Sequence, residues 1–324
     1  MRIAPNWNLK GAHKKGINGE GITIAILDSG VNVNHDCFTK NHMHLSGKNC
    51  ISNDKGDDYW RTNREAHGTM VTGIVAQYAP KAKIYVCCVS DHKEDKYYPD
   101  AIIKALKHLR DEKKCEVIVM SFGHYSNCGK EKERKERKER EQLISQLAEK
   151  GVMLVAAIGN YGRFADSLAY PAHLDQVIAV GGLKKCDKCD KCDERDECDH
   201  KSVESDINPP GNIDVFAPGE GVYAPMDNDN SKYQKVSGTS YAAPAIGGLV
   251  ALLMQLARDS GVEIRKVDVQ LIKKILSRMN KEVEKTTADG KKKKITVYNP
   301  KQFFSELYET PDTFKTFKAL VESI

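Results

Sequence analysis

The run Ile22-Thr-Ile-Ala-Ile-Leu-Asp28-Ser-Gly30 carries the reading of the fold. Its apolar and β-branched residues show no polar alternation, so the strand they form is covered on both faces, as in a parallel sheet. Asp28 with Ser29-Gly30 then marks where the chain leaves the sheet and turns. Four further runs have the same character: Lys83–Val89, Glu116–Ser121, Val152–Ala157 and Val177–Val180. Between the second and third of these five, Pro99 opens a segment in which Ile102, Leu106 and Leu109 recur at helical spacing, with proline sterically welcome at a helix start. Strands alternating with amphipathic helices predict an α/β, three-layer fold: a mostly parallel sheet with helices on both faces.

The bulk properties narrow the field. The 324 residues, 40% of them hydrophobic, suffice for one large core. Fifty basic against 45 acidic residues leave +5, spread along the chain, so no surface selects nucleic acid as a partner. Residues 1–15 hold no apolar signal-like run and no stretch reads as a membrane span, which predicts a soluble, cytoplasmic chain with no membrane partner. Ten cysteines, including adjacent Cys87 and Cys88 in an apolar run, fit reduced thiols better than a disulfide framework. The expected organisation is an N-terminal extension over 1–20, a main domain over 21–309 and a helical tail over 310–324.

Two segments stand apart from this pattern. Residues 130–141 are almost purely Lys, Glu and Arg, and Glu131–Lys135, Glu133–Arg137 and Glu136–Arg140 sit four apart, which predicts a solvated helix extension. In the insertion 184–200, Cys186, Cys189, Cys192, Cys198 and His200 cluster. They could supply thiolates for tetrahedral zinc, although the compressed spacing better fits a low-complexity surface loop.

Three positions could carry chemistry. Asp28 ends a parallel strand, where such sheets bind ligands, yet a lone aspartate there also serves a turn. His67 opens His-Gly-Thr-Met-Val-Thr-Gly-Ile-Val-Ala, a run with the small and apolar residues of a closely packed helix. Ser240 lies in Ser237-Gly-Thr-Ser-Tyr-Ala-Ala-Pro244, directly before a long apolar helix whose N-terminus would favour an oxyanion, and it could otherwise be an N-cap.

Taken together, these three segments resemble the signature blocks of the subtilisin-like serine peptidases, in the order Asp, His, Ser. Further blocks match in the same order. Ser121-Phe122-Gly123 resembles the family's substrate-binding strand and Ala156 to Asn160 its oxyanion-asparagine segment. Tyr170-Pro171-Ala172, Val177–Gly181 and Asp214–Gly219 follow, so the likeness spans about Asn18 to Leu253. The resemblance implies a serine endopeptidase acting on polypeptides without a cofactor. Ser240 would be the nucleophile, His67 the general base and acid, Asp28 the orienting carboxylate and Asn160 the oxyanion donor. Ser121, Phe122, Gly123, Ala157, Gly159 and Ala169 would line the substrate site.

The chain also departs from the family's pattern. Tyr241 stands where methionine is usual, Met70 where a second histidine is usual, and Tyr161 where a polar residue is common. Ala169 replaces a pocket glycine, which predicts a shallower pocket for medium-sized apolar side chains. No calcium loop interrupts Ile74–Pro80, and Cys37 occupies the position of a calcium-binding aspartate, so no metal is expected there. Residues 1–20 are too short for the pro-domain that family members often carry, which suggests an intracellular member or a domain cut from something larger. The competing reading is a non-catalytic binding or scaffold module that keeps the fold, which intact Asp28, His67, Asn160 and Ser240 disfavour.

Overall fold

The computed structural model describes residues 9–51, 56–61, 67–91, 96–124, 131–185, 202–204, 207–263, 267–278, 280–286, 292–298, 310 and 312–324. In chain order, α1 (Leu9–Lys14) leads into β1 (Thr23–Asp28), then α2 (Asp36–Thr39), β2 (Leu45–Asn49), α3 (His67–Tyr78) and β3 (Lys83–Cys88). Short β4 (Ser90–Asp91) and β5 (Lys96–Tyr97) precede α4 (Pro99–Asp111), β6 (Val117–Met120), α5 (Glu131–Glu149) and β7 (Met153–Ala157). Next come β8 (Val177–Lys185), β9 (Ser202–Glu204), β10 (Val215–Pro218) and the hairpin β11 (Val222–Pro225) and β12 (Tyr233–Val236). The chain closes with α6 (Thr239–Asp259), α7 (Val269–Ser277), the hairpin β13 (Asn280–Thr286) and β14 (Lys292–Tyr298), and α8 (Thr313–Glu322).

The central sheet runs β10-β8-β7-β6-β1-β3-β2 and every one of these pairings is parallel; β9 adds to the end of β8 antiparallel. From β1 the chain builds outward to β3 and β2 on one side, then returns to lay β6, β7, β8 and β10 on the other. The reversal falls between β1 and β6, and the crevice beyond the carboxyl ends of strands at such a point is where open α/β sheets bind ligands.

Alternation along β1 divides two cores. Ile24 and Ile26 join α3 and α6 on one face, while Ala25 and Leu27 join α4 and α5 on the other, all fully buried. Each side chain of this size contributes roughly 1.5–3 kcal/mol on leaving water. The apolar helix expected from Ser240 is α6, which rests on α3 and on β1, β6, β7, β8 and β10. It is long and apolar enough to cross a membrane, contrary to the sequence expectation, but 89% of its apolar window is buried inside the fold, and its apolarity serves the core. Leu9, Ala12 and Ile17 at one end and Phe317 at the other belong to the same cluster.

The charged segment differs from its sequence reading. Lys135 pairs with Glu131 at 2.8 Å as expected, but Arg137 pairs with Glu141 at 2.9 Å rather than with Glu133. Arg140 is only 3% exposed, and its Nε donates to the Glu136 carbonyl at 3.3 Å. The helix turns this position toward the sheet, so one member of the run is inside the protein. Cys186 to His200, and with them the zinc expectation, lie outside the described residues.

Candidate active site

Asp28 ends β1, fully buried, and its parity with Ile24 and Ile26 turns it to the α3 side of the sheet. Its carboxylate accepts the Ser29 backbone N–H at 2.7 Å and faces Nδ1 of His67 at 2.9 and 3.0 Å from its two oxygens. A carboxylate acts only as an acceptor, so these contacts place the proton on His67 Nδ1 and make Nε2 the basic nitrogen of the neutral ring.

The start of α3 is fitted closely against the turn after β1. The Gly68 N–H is bound by the Ser29 hydroxyl at 2.8 Å. A Cβ at position 68 would lie 2.5 Å from the Ser29 carbonyl oxygen and 2.7 Å from that of Gly30. Only glycine permits this approach, and it fixes the imidazole beside the carboxylate.

Ser240 sits in the first turn of α6, half-buried, between two neighbours that tie it to the rest of the site. The Tyr241 ring lies 5.4 Å from that of His67. On the other side, the Thr239 N–H and hydroxyl donate to Asn160 Oδ1 at 2.8 and 3.1 Å. Because the Thr239 N–H can only donate, the amide oxygen must face it, and the Asn160 NH2 points the other way. Thr239 Oγ1 also bonds the Gly159 carbonyl at 3.1 Å, locking the end of β7 to the start of α6. Gly238 has φ 150°, a backbone conformation that residues with a Cβ rarely adopt. Asn160 and the N-terminus of α6, which carries Ser240, are thus joined through Thr239.

The residues expected to line the substrate site surround this junction. Ser121 and Phe122 are buried and Gly123 is exposed directly after β6, while Ala157 and Gly159 follow at the end of the adjacent β7. Ala169 bonds through its N–H to the Ile158 carbonyl at 2.9 Å, and its methyl lies 2.6 Å from where a Gly123 Cβ would be. Phe122 packs against Tyr97, with ring centroids 4.5 Å apart.

Two of the departures prove to be one contact. The Tyr241 hydroxyl approaches Met70 Sδ at 3.6 Å, and Gln234 Nε2 reaches the same sulfur at 3.7 Å. Burial, and then the Asp28 charge, push the Tyr241 phenol up to about 12, so it stays neutral beside the imidazole. Cys37 is likewise buried, its thiol pushed up by desolvation, and α3 runs uninterrupted.

One network was not foreseen. Buried Asp227, just after β11, accepts from Thr69 Oγ1 at 2.8 Å; that hydroxyl in turn accepts the Asn32 N–H at 2.9 Å. Asn32 Nδ2 donates to the Asp227 carbonyl at 2.7 Å and to Asn230 Oδ1 at 2.9 Å. The turn after Asp28, the first turn after His67 and the hairpin leading to Ser240 thus meet at Asp227, through its carboxylate and its backbone carbonyl. In sequence, Met-Asp-Asn-Asp-Asn reads only as a polar turn, and no local signal separates Asp227 from Asp229.

The family model for the subtilase family matches residues 19–296. The chain belongs to the subtilase family. Among curated relatives it is similar to the major intracellular serine protease of Bacillus subtilis (strain 168), 28% identical over 277 residues, spanning 81% of this chain and 78% of that protein. It also resembles thermitase of Thermoactinomyces vulgaris, 28% identical over 254 residues, 75% of this chain and 78% of that one. Of solved structures, a lanthipeptide protease superposes with a TM-score of 0.67 at 20% identity, covering 91% of both chains. A cold-adapted subtilisin-like serine proteinase gives 0.63 at 21% identity over 87% of this subtilase and 90% of the other chain. These structural likenesses establish the three-layer fold.

Proposed function

We propose that this subtilase is a serine endopeptidase in which Asp28, His67 and Ser240 form the catalytic triad and Asn160 completes an oxyanion hole. The observation that supports it best is the span Thr239-Ser240-Tyr241, whose flanking residues touch Asn160 on one side and His67 on the other, with His67 bonded to Asp28 at 2.9 Å. In this reading the Ser240 hydroxyl attacks the peptide carbonyl while His67 Nε2 takes its proton. Asp28 holds the imidazole tautomer and stabilises the imidazolium. The Asn160 NH2 and the α6 N-terminus receive the oxyanion, His67 returns the proton to the leaving amine, and water completes hydrolysis by the same route.

The substrate backbone pairs with residues 121–123 as an added strand, an interaction that demands little of sequence. Relatives named as intracellular proteases support a cytoplasmic setting. The test is labelling by a fluorophosphonate with mass mapping: the adduct is expected on Ser240, and Ser240→Ala should lose both label and hydrolysis. Hydrolysis undiminished in Ser240→Ala overturns the assignment.

A further inference from the structure

The substrate strand ends at His124, whose backbone pairs with Tyr170 through two hydrogen bonds of 3.2 Å. Behind this pair α5 places two guanidinium groups. Arg140 lies 5.0 Å and Arg137 5.4 Å from the Tyr170 ring centroid, and the His124 and His173 rings lie 5.5 and 5.7 Å from it. Arg137 bonds the Glu141 carboxylate at 2.9 Å and His173 Nε2 at 3.1 Å. Arg140, 97% buried by its 3% exposure, has only the Glu136 backbone carbonyl and the Tyr170 face, and its Nη1 has no hydrogen-bond partner.

Among the described residues, the carboxylate bonded to this pair of permanent cations is that of Glu141. Burial, followed by Arg140 and Arg137, lowers the proton affinity of His124, so the histidines leave the positive excess in place without adding to it. A buried, uncompensated guanidinium with an idle donor favours an anion of planar, bidentate shape. The group that reaches this end of the strand is the substrate itself.

We infer that Arg140, supported by His124 and Tyr170, selects an acidic side chain, Asp or Glu, in the part of the peptide that pairs with residues 121–123, on the amino side of the cleaved bond. This rests on the peptidase reading above and adds charge selectivity to a cleft whose floor at Ala169 is small and apolar. It also gives the buried arginine of an otherwise solvated helix a use. Arg140 touches no reacting atom; it acts on which peptide binds.

The experiment compares peptides that differ only by Glu or Gln at each of four successive positions before the cleaved bond. Hydrolysis by the native protein and anisotropy-detected binding to Ser240→Ala are both measured. One position should favour Glu about tenfold or more in both measurements. Arg140→Met should bring that ratio to about one, and Arg140→Lys, which keeps the charge without the fork, should retain part of it; melting curves verify that both variants fold. A Glu-to-Gln binding ratio within twofold at every position, or one unchanged in folded Arg140→Met, overturns the inference. Absent hydrolysis with the binding ratio intact would instead count against the peptidase reading and leave the acidic site standing.

Discussion

Replacing Gly68 by alanine tests whether the fit of α3 against the Ser29–Gly30 turn sets the position of His67. The added methyl would sit 2.5 Å from the Ser29 carbonyl oxygen, and ordinary contact begins at 3.4 Å, so the two must separate by 0.9 Å. Both carbonyls belong to backbone immediately after Asp28 and cannot swing aside as a side chain can. Overpacking of this kind costs about 1–3 kcal/mol. The intrinsic helix preference of alanine returns at most about 1 kcal/mol, leaving a net loss of about 1–2 kcal/mol. For a domain of this size that lowers Tm by about 1.5–3 °C.

The larger effect should fall on turnover. A displacement near 1 Å at a reacting group costs on the order of 10²-fold, and His67 is the adjacent residue. With sites counted by fluorophosphonate titration, kcat per titrated site should fall about a hundredfold while KM changes little. A Gly68→Ala protein with kcat within threefold of the native value and an unchanged Tm would refute this account of how the imidazole is held.

Two other predictions concern stability. Asp227→Ala removes the acceptor from the buried Thr69 hydroxyl, at a cost of about 1–3 kcal/mol, whereas Asp227→Asn keeps an oxygen there and should cost less; urea unfolding showing both within about 0.5 kcal/mol of native would remove Asp227 from its place as a junction. Burial raises the Cys88 and Cys115 thiols from the ordinary 9.0 to about 12. Between those values the unfolded chain holds fewer protons than the folded one, so stability present below about pH 9 is lost as pH rises. Unfolding midpoints should therefore fall from pH 9 upward, less steeply in Cys88→Ala/Cys115→Ala; a rise over that range would contradict the burial of these thiols.

Strands β1, β3, β6, β7 and β8 were legible because each is buried on both faces and so written as a continuous apolar run. Asp28, His67, Asn160 and Ser240 are proposed as site residues on their order and neighbouring blocks; individually each has an ordinary structural reading. Edge strand β2, Leu-Ser-Gly-Lys-Asn, was not, because its half-buried residues need no apolar pattern. Arg140 escaped for a different reason. Spacing by four pairs it with Glu136 on a solvated face, and only the docking of α5 beside Tyr170 turns it inward. The Asp227 junction joins residues remote in sequence, which local pattern cannot register. Tyr241 and Met70 looked like separate substitutions until the fold put hydroxyl against sulfur.

The place of α6 in the chain has a consequence for synthesis. Asp28 and His67 leave the ribosome early, but Ser240 and the helix behind it follow only after most of the sheet has been made, roughly 10–40 s later at ordinary elongation rates. Until then one face of the sheet lacks part of its cover, and the nascent chain holds Asp28 and His67 without Ser240. The segment that completes the core is the one that brings Ser240, so the proposed site is assembled together with the native state.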